Sequence, residues 1–295
     1  MDEKQTEVAT EQIAQPTVKK NPLAGYYRQP KVYVKLPSNG KFYAKGSLDV
    51  SSNGEYAVYA MTAKDELMFK TPDALLSGQS TVEVIKSCVP SILDPWVMPS
   101  IDLDFLLVAI RVATYGSKME VNSKCPKCDE ESKYDVDLSS WIGQVGTFAY
   151  EEQIETGDLK FYVRPYTYKE MTKTQIKTLE QQKIFNIVGD EKLSDEEKIR
   201  LFNESFVKLT SLTVEIIADC VIKIVTPDGE TEDKDQIKEF VMTAGKEHFD
   251  SISNHLAKMK NEIEFKAQHV QCGSCKHEFE MPITLDQSNF FAARS

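Results

Sequence analysis

Apolar and polar positions follow two different rhythms along this chain. In the first third, Val32 and Val34 alternate with polar residues, which predicts a short strand. Asn53-Gly54 is a two-residue turn signal with Tyr56 and Val58 on one face beyond it, so 48–62 reads as a hairpin. The rhythm then turns helical. Thr62 followed by Asp65 is a near capping box opening 62–70, and Thr71-Pro72 opens a second turn of helix closed by Gly78. Val82, Ile85 and Val89 have helical spacing in 80–89. A proline-rich loop, "LDPWVMPSIDL", leads into "LDFLLVAIRVATYG", a largely buried helix ended by Gly116. Arg111 inside it requires a partner, Asp104 or an acidic loop, and its role is a structural ion pair.

Period-two patterning returns around two cysteine pairs. "CPKC" at 125–128 lies between Met119/Val121 and Tyr134/Val136, and "CGSC" at 272–275 between Phe265/Ala267/His269 and Phe279/Met281. Each pair therefore sits in a hairpin turn, helped by Pro126 and Gly273. Between them, "DLKFYVRPYTYKEM" (158–171) is a strand leading into a helix, and three further stretches (171–188, 194–225 and 233–261) read as mainly helical. Ser194 with Glu197 is a capping box, Asp233 is a cap, and "TPDGE" (226–230) is a tight turn. Ile199, Phe202, Phe206 and Leu209 form a helical stripe assigned to core packing. At an offset of 105, Tyr56/Phe161, Val58/Val163, Thr62/Thr167, Lys64/Lys169 and Asp65/Glu170 correspond. This is either a repeated strand-to-helix unit or a chance likeness of short segments.

The cysteine pairs carry the most chemistry. Four thiolates from two facing hairpins make the tetrahedral set that zinc prefers, and a closed site of four cysteines is structural. The competing readings are two unrelated turns or two redox dithiols. Redox C-x-x-C motifs open a helix, and no helical pattern follows either pair here. The reading adopted is one shared Zn2+ held by Cys125, Cys128, Cys272 and Cys275, with His269 and His277 on the ribbon surface. Such a clamp ties 118–137 to 262–282. Cys88 and Cys220 lie in apolar helical pattern and read as small buried hydrophobes. Six cysteines with no signal-like apolar stretch in 1–20 suggest a reducing compartment.

Composition narrows the options. The chain has 295 residues, 41% hydrophobic and 27% charged, with net charge −11. That charge opposes phosphate backbones and anionic membranes. The first hairpin, 118–137, has four Lys against six Asp/Glu, and the second, 262–280, has two Lys against four Glu. Neither offers the basic, aromatic-interleaved stripe of a single-strand reader. The longest apolar stretch, 105–116, is short and carries Arg111, so no membrane span is expected. Walker A, G-x-G-x-x-G, H-E-x-x-H and G-x-S-x-G motifs are missing, and the zinc deaminase signature does not match. The expectation is a protein that is not an enzyme. A zinc-ribbon nucleic-acid-binding regulator is the alternative from another class.

"LPSNGKFY", "MTAKDELMFKTPDALLSGQSTVEVIKSCV", "DLDFLLVAIRVATYG" and "VNSKCPKC" occur in that order. Together they resemble the T4-like bacteriophage baseplate hub and hub-assembly protein family, over about residues 30–140 and again near the second knuckle. The resemblance implies a structural or assembly component of a contractile-tail baseplate hub. Its partners are then other phage hub and tail proteins or further copies of itself, with no nucleic acid and no membrane. Its location is the host cytoplasm during assembly and the virion tail baseplate if it is retained. Tyr26, Tyr27, Phe42, Tyr43 and Trp96, near Pro or Gly in loops, are the interface candidates, against packing over their own core.

The fold class is α+β: short β-hairpins mixed with helices, and a split four-cysteine zinc ribbon clamping a mainly helical insertion. The expected organisation has four parts. A disordered N-terminal arm (1–25) precedes an N-terminal α+β domain ending in the first knuckle (26–139). The helical insertion (140–261) then leads to the second knuckle hairpin and tail (262–295).

Overall fold

A computed structural model describes residues 21–71, 77–144, 152–188, 194–262, 266–283 and 291. The expected arm up to residue 20 and the helix expected within 71–78 lie outside the described residues, Thr71, Ser77 and Gly78 apart. Among the described residues the molecule is α+β, with eight α-helices and several small antiparallel sheets.

β1 (Pro30–Val34) and β2 (Tyr56–Tyr59) pair antiparallel, Val32 opposite Val58 and Val34 opposite Tyr56. This corrects the hairpin expected over 48–62. The Asn53-Gly54 turn forms, with the Gly54 N–H donating to the Ser51 carbonyl at 3.3 Å. The chain leaving it pairs with 30–34 instead, which sets Val34, Tyr56 and Val58 on one buried face. Residues 48–52 cannot supply that face: Leu48 bridges Ile92 and Val50 is exposed.

α1 (Ala63–Phe69) starts with the capping box of Thr62 and Asp65. α2 (Gln79–Cys88) starts at Gly78, which opens this helix from a left-handed conformation (φ 78°). A Cβ there would stand 3.0 Å from the Tyr168 hydroxyl and 3.1 Å from Thr172, so both backbone and packing require glycine. α3 (Ser100–Tyr115) runs through the first core, and Gly116 (φ 92°) caps it. It buries Leu103, Phe105, Leu106, Leu107, Val108 and Ile110. Arg111 is buried among them, its guanidinium 5.4 Å from the centre of the Tyr115 ring.

β3 (Lys118–Lys124) and β4 (Glu131–Asp137) form the first knuckle hairpin, followed by α4 (Leu138–Gln144). The middle of the chain then holds more β-structure than its helical pattern suggested. β5 (Gln153–Thr156), β6 (Leu159–Val163), β7 (Val221–Thr226) and β8 (Gly229–Thr231) make a four-stranded antiparallel sheet in that order. Between β6 and β7 run α5 (Tyr168–Val188) and α6 (Asp195–Cys220). α6 stops at Cys220 because "VIKIVT" is β-branched, and its valines and isoleucines fit a pleated, half-buried surface. α7 (Lys234–Thr243) and α8 (Lys246–Asn261) cover the sheet with Ile237, Val241, Ile252, Leu256 and Met259. β9 (Gln268–Gln271) and β10 (Glu278–Met281) form the second knuckle hairpin.

The stripe on α6 is a second correction. Ile199, Phe202 and Phe206 are 61%, 47% and 60% exposed. Among the described residues only Ser205 is buried in that half of the helix; burial resumes at Leu212, and the helix joins the second core from Val214 onward.

Two joints hold the halves together. Ser100 donates its N–H to the Tyr166 carbonyl at 2.6 Å, and Tyr168 donates to Met98 at 2.9 Å. Met281, Ile283 and Phe291 return from the C-terminal end to the first core, where Phe291 stacks on Phe69 at 4.4 Å.

The two strand-to-helix openings are built alike. Tyr56 and Val58, and likewise Phe161 and Val163, are buried. Thr167 and Glu170 exchange the same capping bonds as Thr62 and Asp65. Each acid meets an arginine: Arg28 lies 3.7 Å from Asp65, and Arg164 lies 2.7 Å from Glu170. Each arginine also donates to the carbonyl next to a helix-ending cysteine: Arg28 to Ser87 beside Cys88, and Arg164 to Asp219 beside Cys220. Burial pushes the Cys88 thiol up to about 12 and the Cys220 thiol higher, so both behave as apolar packing groups.

Candidate metal centre

The two cysteine pairs sit at the ends of two hairpins, as their flanks predict. The β3–β4 ladder runs unbroken from Lys118 opposite Asp137 to Lys124 opposite Glu131, and β9–β10 ends with Gln271 opposite Glu278. Beyond these pairs the chain makes the same turn twice. Cys125 donates its N–H to Glu130 and accepts from Asp129, both at 2.9 Å. Cys272 donates to His277 at 2.9 Å and accepts from Lys276 at 3.1 Å. The residue after each second cysteine is left-handed, Asp129 at φ 55° and Lys276 at φ 59°. That kink aims both thiols of a pair at one point.

The second hairpin differs from its sequence reading in one respect. Val270, opposite Phe279, packs on the core, whereas His269 is exposed. The inward set is thus offset by one residue from Ala267/His269, and a shift of one exchanges the faces of a strand. His269 lies 3.3 Å from Glu280, and His277 stacks on Phe279, so both histidines stand apart from the cysteines.

The sulfurs of Cys125 and Cys275 are 3.7 Å apart, as are those of Cys128 and Cys272, and all four lie within 4.8 Å of one another. Four sulfurs each about 2.3 Å from a central ion stand about 3.8 Å apart in a tetrahedron. A disulfide requires about 2.05 Å. The thiols are therefore spaced for a shared ion and not for bonding to each other. Cys125 and Cys272 are fully buried, Cys128 is exposed and Cys275 half-buried. Backbone N–H groups of Cys275 and Ser274 help hold the Cys272 thiol down at about 7. For Cys128, the Glu130 N–H works in the same direction, but the neighbouring sulfurs outweigh it and push the thiol up to about 12. A dication at the centre would favour the thiolate form of all four cysteines.

Tyr134 and Phe279, one from each hairpin, meet edge to face at 6.0 Å and join the ribbons beside the sulfurs. In the sequence these two residues served only as markers of alternation.

The aromatic candidates are placed diversely. Tyr26 and Tyr27 are 87% and 58% exposed. Phe42 is half-buried with φ 66°. Tyr43 packs against the first core and donates its hydroxyl to Asp102 at 3.0 Å. Trp96 also packs there, stacked on Tyr168 at 5.5 Å. Asp102, fully buried, also accepts from the Ser38 N–H at 2.8 Å and the Ser38 hydroxyl at 2.6 Å. Burial lifts it to about 6 against the pull of these donors.

The fold and site define a mixed α+β chain whose distant segments converge on four cysteines that could hold one metal ion. The chain belongs to the T4 bacteriophage base plate protein family, whose model matches residues 29–292. Neither a curated protein nor a solved structure matched it. Membership makes it a tail protein with a structural or assembly role in the phage baseplate. No helix among the described residues is long and apolar enough to cross a membrane.

Proposed function

We propose that this protein is a non-enzymatic component or assembly factor of the baseplate hub, and that it carries one structural zinc on Cys125, Cys128, Cys272 and Cys275. The observation that carries the zinc reading is the convergence of four sulfurs, 3.7 Å apart in cross-pairs, from hairpins far apart in the matched region. When bound, zinc supplies no reaction here; it cross-links two distant hairpins. The residues do the rest: the paired turns aim the thiols, and Tyr134 on Phe279 keeps the ribbons together. The protein works by presenting surfaces to other hub and tail proteins.

Affinity purification from infected cells tests the hub assignment, combined with mass spectrometry of purified virions. Hub and tail proteins are expected to co-purify in defined stoichiometry. Detection in virions assigns a retained subunit, and detection only in assembling complexes assigns a transient factor. Association with nucleic acid and with no tail protein contradicts the proposal.

A further inference from the structure

The β1 side of the β1–β2 ribbon differs in charge from the rest of the molecule, while the exposed Glu55 precedes β2. Net charge is −11, yet residues 12–48 contain no Asp or Glu. In the described part of this stretch Lys31, Lys35 and Lys45 are exposed, while Lys41 pairs with Glu152. Val32 and Val34 lean toward the core on β1, so Lys31 and Tyr33 share the outward face, and Tyr33 is 63% exposed. Beside them the Arg28 guanidinium lies 5.5 Å from the centre of the Tyr59 ring, and the exposed Tyr26 and Tyr27 precede the strand. Among the described residues β1 pairs with β2 alone, and none of them forms a strand beside its other edge.

Proline and lysine on an edge strand discourage unwanted pairing, and Pro30 with Lys31 fits that role. Exposed tyrosines serve no such purpose, because they add apolar area next to an open edge. A cationic stretch on an anionic molecule also draws oppositely charged partners to one place.

The geometry points to a docking site for an acidic, extended polypeptide segment of another protein, which adds to the free edge of β1 as a third strand. The inference rests on the assembly reading above and names the kind of partner that reading requires. The incoming backbone pairs with β1, its carboxylates meet Lys31 and Lys35, and an apolar side chain covers Tyr33. Single-stranded nucleic acid is the other polyanion that could use lysines around a tyrosine. It has no use for a strand edge, and the net charge opposes it.

The test uses the full-length, metal-loaded protein and three fluorescent probes: an alternating Glu-Val peptide, a Lys-Val peptide and an oligo-dT strand. The Glu-Val peptide is expected to bind saturably and weaken as salt rises. It should slow amide exchange within 30–34. The Lys31→Glu/Lys35→Glu variant, changed only at exposed positions, should keep its melting temperature and lose at least tenfold in affinity. No saturable binding, affinity unchanged in that variant, or tighter binding of the Lys-Val peptide or oligo-dT overturns the proposal. Metal content and co-purification with tail proteins are read separately, so a failure here is distinct from a failure of the hub assignment.

Discussion

At the scale of single residues, the cysteines and one carboxyl group matter most. Cys125 and Cys272 are fully buried, and removing either sulfur leaves an incomplete set around any bound ion. Cys125→Ser should abolish metal retention and make 140–260 easier to cleave in limited proteolysis; an unchanged digestion pattern would show that the clamp is dispensable. Asp102 gives a pH dependence of definite sign. Burial lifts its pKa from 3.8 in the unfolded chain to about 6, so the folded state holds the proton more tightly. Its contribution is complete below about pH 4 and is lost as pH rises through about 6, amounting to about 3 kcal/mol for a shift of this size. Denaturant titrations from pH 4 to 7 should show that decline in the native protein and a flatter profile in Asp102→Asn.

At the scale of elements, the caps and the cysteine hairpins were legible in the sequence because each is a short-range device. Thr62 with Asp65 and Ser194 with Glu197 form the capping boxes that their spacing announces. The flanking alternation likewise located both knuckles. Long-range pairing was not legible. Nothing local tells β2 to pair with 30–34 and not with 48–52; burial of Val34, Tyr56 and Val58 against α3 decides it. The stripe of α6 misled for a related reason, since helical spacing of apolar residues shows a face but not what covers it. The consequences for stability are unequal. Phe206→Ser, at an exposed site, should change stability by no more than about 0.5 kcal/mol. Leu212→Ala, on the buried side of the same helix, should cost about 2–5 kcal/mol. Thr62→Ala and Thr167→Ala remove equivalent caps and should each cost about 1 kcal/mol in chemical denaturation.

At the scale of the whole molecule, two apolar cores are joined by backbone bonds at 98–100 and 166–168, and by C-terminal residues that return to the first core. With the proposed metal bound, the cysteine cluster would close the circuit by tying the hairpin after α3 to the hairpin after α8. Metal binding can contribute on the order of 10 kcal/mol to such closure, more than any single cap or ring contact. The alike openings of the two halves, each with a capping acid and an arginine at a helix-ending cysteine, suit a design in which each half delivers one knuckle. The rigidity of the scaffold depends on that closure. The most direct test is native mass spectrometry of the purified protein, paired with the visible spectrum of a cobalt-substituted sample. One zinc per chain is expected, together with the intense bands of tetrahedral cobalt bound by four thiolates. Two metals per chain, none in protein kept reduced, or a cobalt spectrum lacking thiolate bands would contradict it.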